Sequence, residues 1–86
     1  MPTISSFYGI RIDIKYNDHV PPHIHVKYGE HEATIKIKEI ELHDGFLPKK
    51  QLRLVLAWCE LHQNELMKNW ELARDRKKLL LIEPLK

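Results

Sequence analysis

The sequence predicts an α+β domain: an antiparallel sheet of three to four strands followed by a long C-terminal helix, straight or kinked, packed on one face. Three observations carry that expectation. Apolar and polar residues alternate through the first half of the chain, the period of half-buried strands. Beyond Pro48 the apolar residues fall mostly three and four positions apart, the period of a helix. The 86 residues, 43% hydrophobic and 30% charged, have the balance of a folded protein and suffice for one modest core. A single domain over residues 1–86 is expected, with the sheet at 7–43, the helix at about 49–76 and a tail at 79–86.

Tyr8, Ile10, Ile12, Ile14 and Tyr16 alternate with Gly9, Arg11, Asp13 and Lys15, which predicts a first strand. Asn17-Asp18 and Pro21-Pro22 then turn the chain. A second strand places Ile24, Val26 and Tyr28 on one face and His23, His25 and Lys27 on the other. After a short reversal at Gly29-Glu30, Ala33, Ile35 and Ile37 alternate with Thr34, Lys36 and Lys38 to give a third strand. The apolar parity switches between Ile37 and Ile40, so a bulge or tight turn is expected near Lys38-Glu39. A short fourth strand comes next, closed by Asp44-Gly45.

From Pro48 onward Leu52, Val55, Leu56, Cys59, Leu66, Met67 and Trp70 form a helical stripe, with the proline well placed near its start. Leu54, Trp58 and Leu61 add a second apolar ridge, wider than one sheet face needs. Either a partner or a folded-back second helix should cover it, so these three are the candidate partner-binding residues. One long or kinked helix is the favoured reading. A break at His62-Gln63-Asn64, with Asn64 capping a second helical segment, is the alternative. The apolar tail from Leu79 to Pro84 is expected along the sheet edge or in a neighbouring molecule. These surfaces predict a homodimer or a small cognate partner protein.

A formal charge of +2 is too small to require a polyanionic partner, and the lone Cys59 excludes an intramolecular disulfide framework. No segment reads as a signal peptide or a membrane span, which makes the cytoplasm the expected location and gives no membrane partner.

The segment from Asn17 to Gly29 carries the chemistry, because it sets three of the six histidines around a double proline. His23 and His25, two apart on a strand, should stand side by side. Paired imidazoles can divide acid and base work near neutral pH or share a metal ion. His23 and His25 are therefore the candidate catalytic residues, and His19, His23 and His25 the candidate metal ligands, with His31 as another source of a third ligand. No organic cofactor is implied; a divalent ion such as zinc is the one candidate. Cys59, on an apolar stripe, is better read as a buried core residue. The plainer reading of the histidines is that they brace the Pro-Pro turn or decorate a surface.

Arg11, Lys15, Lys27, Lys36 and Lys38 should share the polar side of the sheet with the histidines, a basic face able to contact RNA or DNA phosphates. The ordinary reading is a solvated sheet face whose lysines discourage edge pairing. Tyr8, Tyr16 and Tyr28 follow the apolar parity, which argues against a module that stacks bases on sheet aromatics.

Met1-Pro2-Thr3-Ile4 with Phe7-Tyr8-Gly9-Ile10, Asp18-His19 with Pro21-Pro22-His23-Ile24-His25-Val26, and Leu52 to Trp58 with Glu65-Leu66 and Asn69-Trp70 together resemble one family. It is the small bacterial domain-of-unknown-function family 4160, and the resemblance covers nearly the whole chain. It implies an α+β fold and a setting beside a second small protein, in the manner of toxin and antitoxin pairs. It supplies no established catalytic residues. The function expected is a component of such a pair, acting on or binding RNA through the His-rich face. The alternative is a non-enzymatic interaction module, or a metal-binding domain, working through the helix ridge and tail.

Overall fold

The structure, a computed structural model, describes residues 2–86. Five strands, β1 (Thr3–Phe7), β2 (Ile10–Asp13), β3 (His23–Tyr28), β4 (His31–Lys36) and β5 (Glu41–Gly45), precede two helices, α1 (Lys49–Leu61) and α2 (Gln63–Arg74). The strands lie in the sheet in chain order and every neighbouring pair is antiparallel. The α+β architecture is as expected, but the sheet has five strands rather than three or four, and the helix is two.

The additional strand comes from a hairpin in place of one continuous strand. Tyr8 and Gly9 both adopt positive φ, 50° and 77°, which is the turn geometry that reverses adjacent strands with their natural twist. Tyr8 therefore projects at the hairpin tip, 59% exposed, instead of joining the core, and Tyr16 is also exposed. Only Ile4 and Phe7 are apolar in Thr3–Phe7, so alternation gives little sign of a strand there.

Along the central strands the alternation holds. Ile12 lies opposite Val26, Val26 opposite Ala33, and Ile24 opposite Ile35. Ile10, Ile12, Ile14, Ile24, Ile35 and Ile37 are fully buried on the face that the helices cover. The parity switch after Ile37 is a tight turn in which Ile40 takes φ 54° and donates its N–H to the Lys36 carbonyl. A side chain at Gly45, φ 82°, would collide with the backbone of Glu32 and Ala33, so the bulged end of β5 requires glycine.

Pro48 caps α1, and the helix stops at His62, whose φ −122° and ψ 23° leave the helical region. The His62 carbonyl nevertheless accepts the Leu66 N–H, and Glu65 reaches back to the His62 ring with Oε1 at 2.6 Å from Nδ1. The break falls within the expected tripeptide, but His62 rather than Asn64 occupies the cap. It lets Leu66, Trp70 and Ala73 of α2 bury alongside Val55, Trp58 and Cys59 of α1.

The surplus apolar ridge on α1 is covered by the chain's own tail, which corrects the expected role of Trp58 as a partner anchor. Trp58 is fully buried and donates its indole N–H to the Glu83 carbonyl at 2.8 Å. Asn69, also fully buried, donates to the Leu80 carbonyl and accepts the Leu80 N–H, each at 2.8 Å. Ile82 then bonds its N–H to the Ile4 carbonyl, so the tail runs beside the edge strand β1. Leu54 is half-buried, and of the three ridge residues only Leu61 stays exposed. Among the described residues no helix is long and apolar enough to cross a membrane.

Candidate functional site

The site is built by the segment between β2 and β3. Asn17 takes a left-handed φ of 56°, and the chain folds back so that Asp18 lies against the start of β3. One oxygen of Asp18, Oδ2, is 2.9 Å from His23 Nε2 and 2.9 Å from His25 Nε2. The other, Oδ1, accepts the backbone N–H of His19 at 2.9 Å, which orients the carboxylate. The two imidazole rings meet edge to face with centroids 5.0 Å apart, as their spacing on one strand predicts. His23 Nδ1 lies 2.7 Å from the Pro21 carbonyl, and its ring packs against Trp70 of α2 at 5.3 Å. A carbonyl can only accept, so the Nδ1 of His23 carries a proton.

All three side chains are largely shielded, with exposures of 12% for Asp18, 10% for His23 and 21% for His25. Burial opposes ionisation of Asp18. The His25 hydrogen bond, the His19 N–H and the charges of His23 and His25 outweigh it and hold the carboxyl below its ordinary value. Atoms of Asp18, His23 and His25 capable of ligating a metal all lie within 4.8 Å of one another. The expected third ligand, His19, does not join them: its side chain is 95% exposed and its Nε2 is 4.0 Å from Asp18 Oδ1. Asp18 takes the place expected of His19, because only a fold-back of the segment brings its carboxylate under the strand.

Beside the cluster runs a groove of ≈ 350 Å³ whose walls include His25, Arg11, Lys15, Lys27 and Thr34. The five expected phosphate contacts are thereby divided. Arg11, Lys15 and Lys27 reach the groove, whereas Lys36 lies opposite His23 in the register and Lys38 is exposed in the turn after β4. The face is mixed rather than strongly basic, since Asp13, Glu32 and Asp44 line the same groove. Arg11 is tied to Asp13 at 3.2 Å, and Lys27 faces Glu32 at 3.8 Å. Asp13, two residues along β2, shares the parity of Arg11, whereas Lys27 meets Glu32 across the β3–β4 pairing, a partner that parity along one strand does not reveal.

His23 has both ring nitrogens engaged, one by Pro21 and one by Asp18. It therefore has no nitrogen left to meet a substrate, and the expected division of acid and base work between the two histidines does not fit this arrangement. His25 is the histidine that borders the groove. Asp18 and Trp70 are not among the site residues that the sequence suggests. Asp18 is readable there only as a turn residue, and Trp70 only as part of the apolar helical stripe.

The profile of a family described as a domain of unknown function, DUF4160, matches residues 9–71. The chain belongs to this family. The matched span contains Asp18, His23, His25, the groove residues up to Gly45, and Trp70, and leaves β1 and the tail outside. No curated protein and no solved structure matches the chain.

Proposed function

We propose that this DUF4160 protein is the RNA-directed component of a toxin–antitoxin-like pair, with its target contact in the groove beside His25. The observation that carries this reading is the convergence of Arg11, Lys15 and Lys27 with His25 on one groove. The acidic side chains interleaved with these cations leave little net positive field, which suits a contact with one or two phosphates rather than a long polyanion track. A phosphodiester held there lies next to the one cluster imidazole that faces the groove, while Asp18 fixes the orientation of that ring. His23 serves as a positioning residue. A small cognate protein would find exposed apolar surface where Leu61, 70% exposed, adjoins Pro84 and Leu85 at the end of the tail.

The test is expression of the chain alone and together with its genomic neighbour. Growth arrest by the chain alone, relieved by the neighbour and lost in a folded His25→Ala variant, is the result expected. With purified protein, Lys15→Glu and Lys27→Glu should each weaken binding to a short single-stranded RNA and flatten its salt dependence. Preference for DNA of the same sequence, or RNA binding indifferent to both charge reversals, would overturn the RNA reading.

A further inference from the structure

We propose that Asp18, His23 and His25 form a binding site for one divalent first-row transition-metal ion, with His23 Nε2, His25 Nε2 and Asp18 Oδ2 as its ligands. The inference goes beyond the RNA reading and does not depend on it, since metal uptake can be measured without nucleic acid.

The argument begins with how the rings are turned. His23 Nδ1 faces the Pro21 carbonyl at 2.7 Å and donates to it, which leaves Nε2 as the nitrogen turned to Asp18. Asp18 Oδ2 lies 2.9 Å from that nitrogen and 2.9 Å from His25 Nε2. Three groups able to ligate a metal thus converge, all within 4.8 Å of one another, in a largely shielded corner beneath Trp70.

The geometry fits a metal ion. Metal–ligand bonds of about 2.0–2.1 Å at angles between octahedral and tetrahedral place neighbouring ligand atoms about 2.9–3.4 Å apart. Asp18 Oδ2 lies 2.9 Å from each imidazole Nε2. Two imidazoles and one carboxylate are also the donor set of open, three-ligand sites for zinc and iron.

The surrounding contacts are of the kind that hold metal ligands in place. A ligating imidazole ordinarily donates its second N–H to a carbonyl, as His23 does to Pro21. The carboxylate is oriented through its other oxygen by the His19 N–H. Trp70 closes one side of His23, and the positions left open on the ion would lie toward the groove that His25 borders. There the ion would act as a Lewis acid on a bound oxygen. His19 enters through its backbone alone, which makes its side chain an internal control.

The experiment is titration of the full metal-stripped chain with Zn²⁺ by calorimetry, and with Co²⁺ by visible absorption. One ion per chain is expected. His25→Ala and Asp18→Asn should each weaken uptake by at least about tenfold, with His19→Ala and His43→Ala leaving it unchanged. Circular dichroism checks that each variant is folded. Should the ligand variants fail to fold, nitrogen NMR of the parent decides: Zn²⁺ must shift the ring Nε2 signals of His23 and His25 and leave those of His31 and His43 in place. No uptake by the parent, uptake undiminished in folded Asp18→Asn or His25→Ala, or ring signals that move at His31 and His43 instead would each overturn the proposal.

Discussion

Two shielded polar clusters in this molecule solve the same problem in opposite ways. Around Asn69 and Trp58 each side-chain polar atom has a partner: the Asn69 amide pairs with both the N–H and the carbonyl of Leu80, and the indole N–H meets the Glu83 carbonyl. Around Asp18 groups able to ligate a metal converge instead: one carboxylate oxygen lies 2.9 Å from the Nε2 of His23 and 2.9 Å from that of His25, and the other is held by the His19 N–H. A cluster that satisfies itself needs nothing from solution and serves the fold. One whose ligating atoms converge beside a groove is where we place the proposed ion.

If the first cluster is purely structural, breaking it should cost stability and nothing else. Asn69→Ala removes two buried hydrogen bonds and frees the tail that covers Trp58. The expected loss is about 2–3 kcal/mol in urea unfolding. Trp58→Phe keeps most of the buried ring and deletes only the bond to Glu83, so a loss of about 1 kcal/mol is expected. Both variants should take up metal as the parent does. An Asn69→Ala protein as stable as the parent would mean that the tail is not latched by this residue.

The second cluster should respond mainly in metal uptake. In the absence of metal, Asp18→Asn can still accept the His19 N–H but loses the charge-assisted bond with His25. Its stability should fall by about 1–2 kcal/mol. Urea unfolding in the presence of a chelator measures this. A loss above about 3 kcal/mol would identify a buried ion pair between His23 and Asp18, and the contrast between the clusters would fail.

How much of the molecule is legible in the sequence differs between fold and site for a physical reason. Alternation reports which side chains share a face, so the apolar registers of β2 to β4, the His23/His25 adjacency and the turn at Lys38-Glu39 can all be read from it. The hairpin at Tyr8-Gly9 cannot, because Tyr8 carries the apolar parity of Ile10 to Ile14 into the turn, whereas the buried residues switch from Phe7 to Ile10 across it. Nor can the role of Asp18. Its carboxylate reaches the histidines through a fold-back set by Asn17 and the two prolines, and no local period encodes such a path. Parity puts Lys36 and Lys38 on the face of Arg11, Lys15 and Lys27, but it gives a face and not a position along it, so it does not reveal that neither of them lines the groove. Trp58 looks surplus in the sequence because a tail lacking helical or strand periodicity gives no sign of where it will lie.

Cys59 supplies the smallest expected effect and a third way of burying a titratable group. It has neither a complementary partner nor converging ligands: its thiol is fully buried, and burial, with a lesser contribution from Glu60, pushes its pKa from 9.0 up to about 12. The group therefore stays neutral and behaves as a small apolar side chain. Because the folded value lies above the unfolded one, the stabilisation is fully present below pH 9 and is lost as pH rises toward 12. Between pH 6 and 8 stability should not change on account of this residue. A thiol reagent such as a disulfide dye should leave the native protein unmodified at pH 8 and label one thiol per chain in denaturant, since only the thiolate reacts and only the unfolded chain presents it. Rapid stoichiometric labelling of the native chain would show that α1 and the tail open readily at Cys59. The Trp58–Glu83 closure beside it would then be a weaker clamp than its hydrogen bond implies.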